Sequence, residues 1–193
     1  MHGCPPDEIE RIATFLLAER GLHTTVKLNP TLLGPELVRG LLNDRLGFTA
    51  EAPDAAFEHD LAWDQGLDLI RSLEGVARRA GREFGVKLTN TLEVRNTRGV
   101  FPDSQSMMYL SGRALHPLAV MLAARLQQEC SGALDISFAG GAVSGTSRME
   151  YCAASGIAAT DRGSPINGAS QGVPRGYSHS NTSAGSTRCA SPR

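Results

Sequence analysis

The sequence predicts an α/β domain in which helices alternate with parallel strands, and three segments carry that prediction. Residues 23–30 read HTTVKLNP, a β-branched run that carries Lys27 and stops at Asn29 and Pro30. Residues 85–91 read GVKLTNT, in which the strand formers Val86 and Leu88 give way to Thr89, Asn90 and Thr91. Residues 133–141 read ALDISFAGG, an apolar strand that ends in Gly140 and Gly141. In parallel α/β folds, chemistry collects at the carboxyl ends of strands. Three strands capped by polar or glycine residues therefore point to one shared site at one rim of a sheet.

The helices fall between these strands. Residues 5–20 (PPDEIERIATFLLAER) open on two prolines and early acids, which suit a helix start. Ile9, Ile12, Phe15 and Leu16 then recur at helical spacing, and Gly21 ends the element. Pro35 opens a second helix (PELVRGLLNDRL), closed by Gly47. Residues 48–50 allow a weak strand. A long amphipathic helix is predicted over residues 63–84, with an interruption at Gly66. Residues 96–108 read as a loop, broken by Gly99, Pro102 and Asp103. A further helix starts at Ser111, and Cys130-Ser131-Gly132 leads into the last strand.

Composition bounds the function. With 193 residues and 41% hydrophobic side chains, the chain is long enough for one domain with a core. A formal net charge of -1 gives no electrostatic case for nucleic acid or an anionic membrane as partner. No run approaches the roughly 18 apolar residues of a membrane span. The amino terminus turns acidic soon after Met1 and has no long apolar core, unlike a secretory signal. Cys4, Cys130, Cys152 and Cys189 are scattered and form no CxxC pair, which argues against a zinc or iron–sulfur site in this chain and fits a reducing cytoplasmic setting. Beyond Ala142 the text is dominated by Ser, Gly, Ala, Thr and Arg, with Met149, Ile157, Ile166 and Val173 isolated. The reading is an ordered domain over residues 1–142 and a disordered tail over 143–193, because so few apolar groups do not offset the entropy of ordering. Out-of-frame translation of GC-rich DNA yields the same mixture and is a second origin for the tail.

Four features can carry chemistry. Lys27 and Lys87 lie on strands with apolar neighbours, where a lysine is costly to bury without a partner. At a strand mouth such a lysine holds an anion or a cofactor carbonyl; otherwise its stem is buried and its amine reaches water. Ser111-Gly112 precedes a helix and Gly140-Gly141 follows a strand, so both offer backbone N–H groups to a phosphate or serve as plain turns. Cys4, in HGCPP ahead of the first helix, is placed where cysteine pKa values are often low and where a thiol acts as general acid or base. The plainer alternative is a small, half-buried residue. His116 beside Pro117 reads as packing or a helix kink, Trp63 as core or interface, and Arg95 and Arg98 as solvated loop charges.

The phrases HGCPPDEIERIA, VKLNPTLLG, FGVKLTNTLEV and MYLSGRALHPLAV, followed by a strand with a Gly pair, resemble the flavin barrel of the dihydroorotate dehydrogenase superfamily. Within it the chain is most similar to the dihydroorotate dehydrogenase-like region of the selenate reductase subunit family. The likeness runs from about residue 2 to residue 142. It implies FMN as cofactor and hydride transfer to or from a small heterocyclic substrate. It implies that Lys27 approaches the flavin ring, that Asn90 and Thr91 bond the ring or the substrate, and that Ser111, Gly112, Gly140 and Gly141 face the phosphate. Cys4 takes the place of the cysteine that moves a proton at substrate carbon. About sixty residues separate Lys27 from Asn90, so Lys87 is an alternative ring lysine. Iron–sulfur and FAD or NAD(P) modules, which the family carries, are expected on other segments or another chain.

A flavin barrel of this kind has eight strands. Three clear strands and one weaker one make this an incomplete TIM (β/α)8-type barrel of three to four βα units. The expectation is a fragment of an oxidoreductase, inactive and without retained FMN on its own. The alternatives are a non-catalytic half-barrel partner subunit, and a flavin-free phosphate-binding barrel enzyme. The last needs a catalytic carboxylate at a strand end, and Glu93, Asp103 and Asp135 are poorly placed for it.

Overall fold

The computed structural model describes residues 4–138 of the 193-residue chain. The predicted tail over 143–193, Gly140 and Gly141 lie outside the described residues. The chain starts with α1 (Pro6–Thr14), which runs on as a π-helical turn over Phe15–Glu19 and breaks at Gly21, whose φ of 62° suits glycine. β1 (Thr24–Leu28) follows. A 3₁₀ turn (Pro30–Leu33), α2 (Pro35–Arg39) with a π-helical turn (Gly40–Arg45), and the short α3 (Ala55–Glu58) lead to the long α4 (Trp63–Ala80). Then come β2 (Phe84–Leu88), β3 (Leu92–Arg95) and β4 (Met107–Leu110). A 3₁₀ turn (Gly112–Leu115), α5 (His116–Glu129) and β5 (Asp135–Phe138) complete the described part.

The main sheet has the order β1-β2-β5, and both pairings are parallel. Val26 pairs with Val86 and Val86 with Ile136; Leu28 pairs with Leu88 and Leu88 with Phe138. All of these but the half-buried Phe138, which packs against it, belong to one buried cluster with Leu73 of α4 and Leu118, Leu122 and Leu126 of α5. Each such aliphatic side chain, fully buried, contributes about 1.5–3 kcal/mol. Strand positions between them fall on the opposite, inner face. The sheet is an open arc among the described residues, with β1 and β5 at its edges.

Several expectations are corrected here. α1 buries Ile9, Ala13 and Leu17, a spacing of four, while Ile12 and Phe15 are exposed. The buried stripe thus runs through every fourth residue, and Leu17 continues it into the π-helical turn. α4 is unbroken at Gly66: a Cβ there would lie 2.7 Å from Leu32 Cδ1, so the glycine allows close packing rather than a break. Residues 48–50 form no strand; instead the neighbouring Glu51 O accepts a hydrogen bond from Arg95 N at 2.8 Å. The region read as loop is framed by an antiparallel hairpin, β3 with β4, in which Glu93 pairs with Tyr109. Arg95 is not a free loop charge, because it meets Glu51 at 2.7 Å.

Gly85 tests the sheet geometry. A Cβ there would lie 2.7 Å from the backbone oxygen of Asp135 on β5, whereas the obstacle at Gly66 is a side chain that can turn aside. Gly85→Ala is expected to lower unfolding stability by about 1–3 kcal/mol, and Gly66→Ala by less, in urea denaturation. Equal or reversed losses would show that β2 and β5 do not approach this closely.

Candidate active site at the carboxyl rim

Parallel pairing brings the carboxyl ends of β1, β2 and β5 to one rim. Asn90 N donates to Leu28 O at 2.8 Å, which extends the β1–β2 contact past the strand ends and sets Asn90 beside Asn29. Thr91 follows, half-buried. Thr89 is 2% exposed, and its hydroxyl has no hydrogen-bond partner among the described residues. Its preceding peptide, Leu88–Thr89, is cis.

Lys27 and Lys87 stand directly opposite each other in the β1–β2 register, and Ser137 continues the row on β5. The two lysines therefore share the inner face. The long segment between them holds helices and turns but no strand, so β1 and β2 are neighbours. Lys27 and Lys87 therefore come from adjacent strands, with no further strand between them. Ser111 and Gly112 are exposed in the turn that starts α5, with Gly112 at φ 68°. The His116 ring meets the Phe138 ring edge-on, 5.5 Å between centroids, so the start of α5 lies against the carboxyl end of β5. His116 packs, as its neighbour Pro117 foretold. Trp63 is half-buried, with the Arg125 guanidinium 3.9 Å above its ring.

Cys4 lines an open cleft beside β1, together with Lys27, Asn29, Thr31, Asp60 and Leu61. Asp60 is anchored at both oxygens: Asn29 Nδ2 donates to one at 2.8 Å and Thr31 Oγ1 to the other at 2.7 Å. A carboxylate does lie at a strand end, then, but it is occupied in holding the β1 rim. The Cys4 thiol donates to Glu8 Oε2 at 3.2 Å. Partial burial, and then the Glu8 bond and charge, push this thiol above the ordinary cysteine pKa. This corrects the expectation of a low value: burial comes first, and the carboxylate one helical turn on adds to it. Cys130, by contrast, lies at the amino end of β5, where burial and Glu74 raise its pKa. No group of three or more His, Cys, Asp or Glu able to hold a metal occurs among the described residues.

Asp60 and Thr31 went unread in the sequence, and Thr89 was read as a polar strand end without a role of its own. Asp60 sits in an irregular stretch with no motif, and only the fold brings it to Asn29. Glu8 was legible, four residues after Cys4 and one turn into the helix. The strongest missed signal is compositional: Lys27 and Lys87 are the two lysines of the chain, against seventeen arginines.

The fold is an α/β domain with a polar rim, and among the described residues it shows three parallel strands without closure. Residues 1–166 match the family described as oxidoreductase YgfK, N-terminal TIM-barrel domain, and the chain belongs to that family. Over 143 residues it is 48% identical to "Putative oxidoreductase YgfK" of Escherichia coli K12, covering 74% of this chain and 14% of that protein. The protein of the same name from Escherichia coli O157:H7 matches to the same extent. The match thus spans about a seventh of each relative's length. No solved structure matches significantly. No helix among the described residues is long and apolar enough to cross a membrane.

The Cys4 geometry predicts a pH dependence. A raised pKa keeps the thiol neutral up to higher pH, so thiolate and alkylation appear late. Glu8→Gln removes the carboxylate that favours the neutral form, and the Cys4 alkylation curve, mapped by mass spectrometry, is expected to move to lower pH. An unchanged curve, or one displaced to higher pH, would contradict the Glu8 contact.

Proposed function

We propose that this chain is part of a flavin-dependent oxidoreductase that passes hydride equivalents between FMN and a small heterocyclic substrate. The reading rests on the family, which is one of oxidoreductases, and on the likeness of the strand-end motifs to the dihydroorotate dehydrogenase-like and selenate reductase flavin barrels. The observation that carries it is the gathering of Lys27, Lys87 and Asn90 at neighbouring strand ends of one rim.

The residues present fit the cofactor. The Thr89 hydroxyl, buried and unsatisfied at the end of the central strand, is the kind of group a bound ring or substrate completes. Lys27 and Lys87 would face the electron-rich edge of the ring. Asn90 and Thr91 would bond the ring or the heterocycle against it. Ser111 and Gly112, with Gly140 and Gly141 beyond the described residues, would offer backbone donors to the phosphate. FMN, when bound, supplies the hydride chemistry. The chain's own contribution is binding, orientation and a proton: Cys4, kept as a neutral thiol by partial burial and by Glu8, gives a proton to substrate carbon, and its thiolate takes one up in the reverse direction. Iron–sulfur and FAD or NAD(P) modules are placed on other segments or another chain, consistent with the small share of each relative covered here.

An open arc holds FMN less tightly than a closed barrel. The chain is therefore expected to purify without flavin absorption, yet to quench FMN fluorescence saturably on titration. Lys27→Met should weaken that binding by about tenfold or more, the scale of one charged hydrogen bond. Absence of quenching, or equal affinity in wild type and variant, would contradict the flavin reading.

A further inference from the structure

An open strand edge presents backbone N–H and C=O groups that can pair with a further strand, and native edges are commonly blunted by a charge, a proline or a bulge. Among the described residues β1 and β5 are the edges of the main sheet, and each carries a charge, Lys27 and Asp135. In the hairpin, β3 carries Glu93 and Arg95. β4 differs. It pairs with β3 on one side and with no described strand on the other. It reads Met-Met-Tyr-Leu, without charge or proline, and Tyr109 is 58% exposed. This edge is also held in place. Leu92 and Val94 bury β3 in the core, and Asn96 orders the connecting loop by donating to Phe101 O and Gln105 O. That loop displays two more exposed apolar side chains, Val100 and Phe101.

The flanks of β4 identify what pairs with it. Asp103 and Arg113 stand at equal distances along the chain from Met108, on opposite sides of it. Both are exposed, and neither belongs to an ion pair among the described residues. An antiparallel pair of β4 strands centred on Met108 therefore sets Asp103 of each copy toward Arg113 of the other, twice by symmetry. The same register sets Met107 of each toward Tyr109 of the other, a sulfur–aromatic contact, and Gln105 toward Ser111, a polar one. The formal net charge of -1 opposes the approach of two copies only weakly.

We propose that β4 is a self-association edge: two copies of this chain join their hairpins, antiparallel and centred on Met108, into one continuous sheet about a two-fold axis. The contact is isologous, uses the β4 edge of each copy once and stops at the dimer. It is independent of flavin binding. The edge is short beside the roughly 1,200–2,000 Å² of a stable interface, so the dimer forms at about micromolar concentrations and above.

Sedimentation equilibrium of the full 193-residue chain, from about 1 μM to about 1 mM, tests the pairing. Expected is a reversible monomer–dimer equilibrium at low salt. Asp103→Arg and Arg113→Asp should each weaken the dimer by about tenfold, because each sets like charges opposite one another twice. Combined in one chain, the two substitutions reverse the pair and should restore the dimer. Tyr109→Lys puts a charge on the edge and should leave monomer across the series. Monomeric wild type throughout, open-ended oligomers in place of a dimer, or single swaps that leave the dimer constant unchanged would overturn the proposal. So would a double swap that binds no more tightly than the single ones.

Discussion

Side chains alternate across a strand with a period of two, and the register of β1, β2 and β5 turns that alternation into rows. One set of rows, Val26–Val86–Ile136 and Leu28–Leu88–Phe138, supplies the sheet's side of the core. The other, Thr25–Gly85–Asp135 and Lys27–Lys87–Ser137, makes the inner face. A slip of one residue would turn the lysines into the helices and the valines out of the core. Each aliphatic side chain so exposed would forfeit about 1.5–3 kcal/mol. The apolar pattern that stabilises the fold therefore also fixes where the charges stand.

The rim is assembled from supports of different kinds. Asn90 N bonded to Leu28 O ties the exit of β2 to that of β1. Asp60 reaches back from the segment before α4 to hold Asn29 and Thr31. α1 is joined to α4 by the Ser72 hydroxyl, which donates to Glu10, and it carries Cys4 and Glu8 toward the open side of β1. The hairpin β3–β4 leaves the same rim and is fastened by Arg95 to Glu51. Its connecting loop is organised by Asn96, whose side chain donates to Phe101 O and Gln105 O and accepts from Val100 N. Rigid scaffolding under polar strand ends is the general condition for holding a small ligand in a fixed orientation.

The parts legible in the sequence were those governed by local chemistry. β-branched runs located β1 and β2, prolines opened α1 and α2, and glycines at positive φ closed α1 and the turn at Gly47. What escaped depends on distant packing. Gly66 looks like a break until Leu32 is seen against it, and Ile12 looks buried until the stripe is seen to run through Ile9, Ala13 and Leu17. The hairpin escaped because Met107–Leu110 has no alternation to set it off from the polar loop before it. Of the site, Lys27, Lys87, Asn90 and Cys4 were legible as types at strand ends or a helix start. Their mutual placement was not, nor was Asp60, which comes from a stretch with no pattern of its own. Gly140 and Gly141 lie outside the described residues.

The central claim is that the two lysines of this chain face the same way on adjacent strands. A short aryl difluoride cross-linker, applied to dilute native chain and followed by mass mapping, measures this on the unaltered sequence. The account predicts one dominant intramolecular link, Lys27 to Lys87, that disappears when the chain is unfolded in urea before treatment. Singly modified lysines without that link, under native conditions, would contradict it.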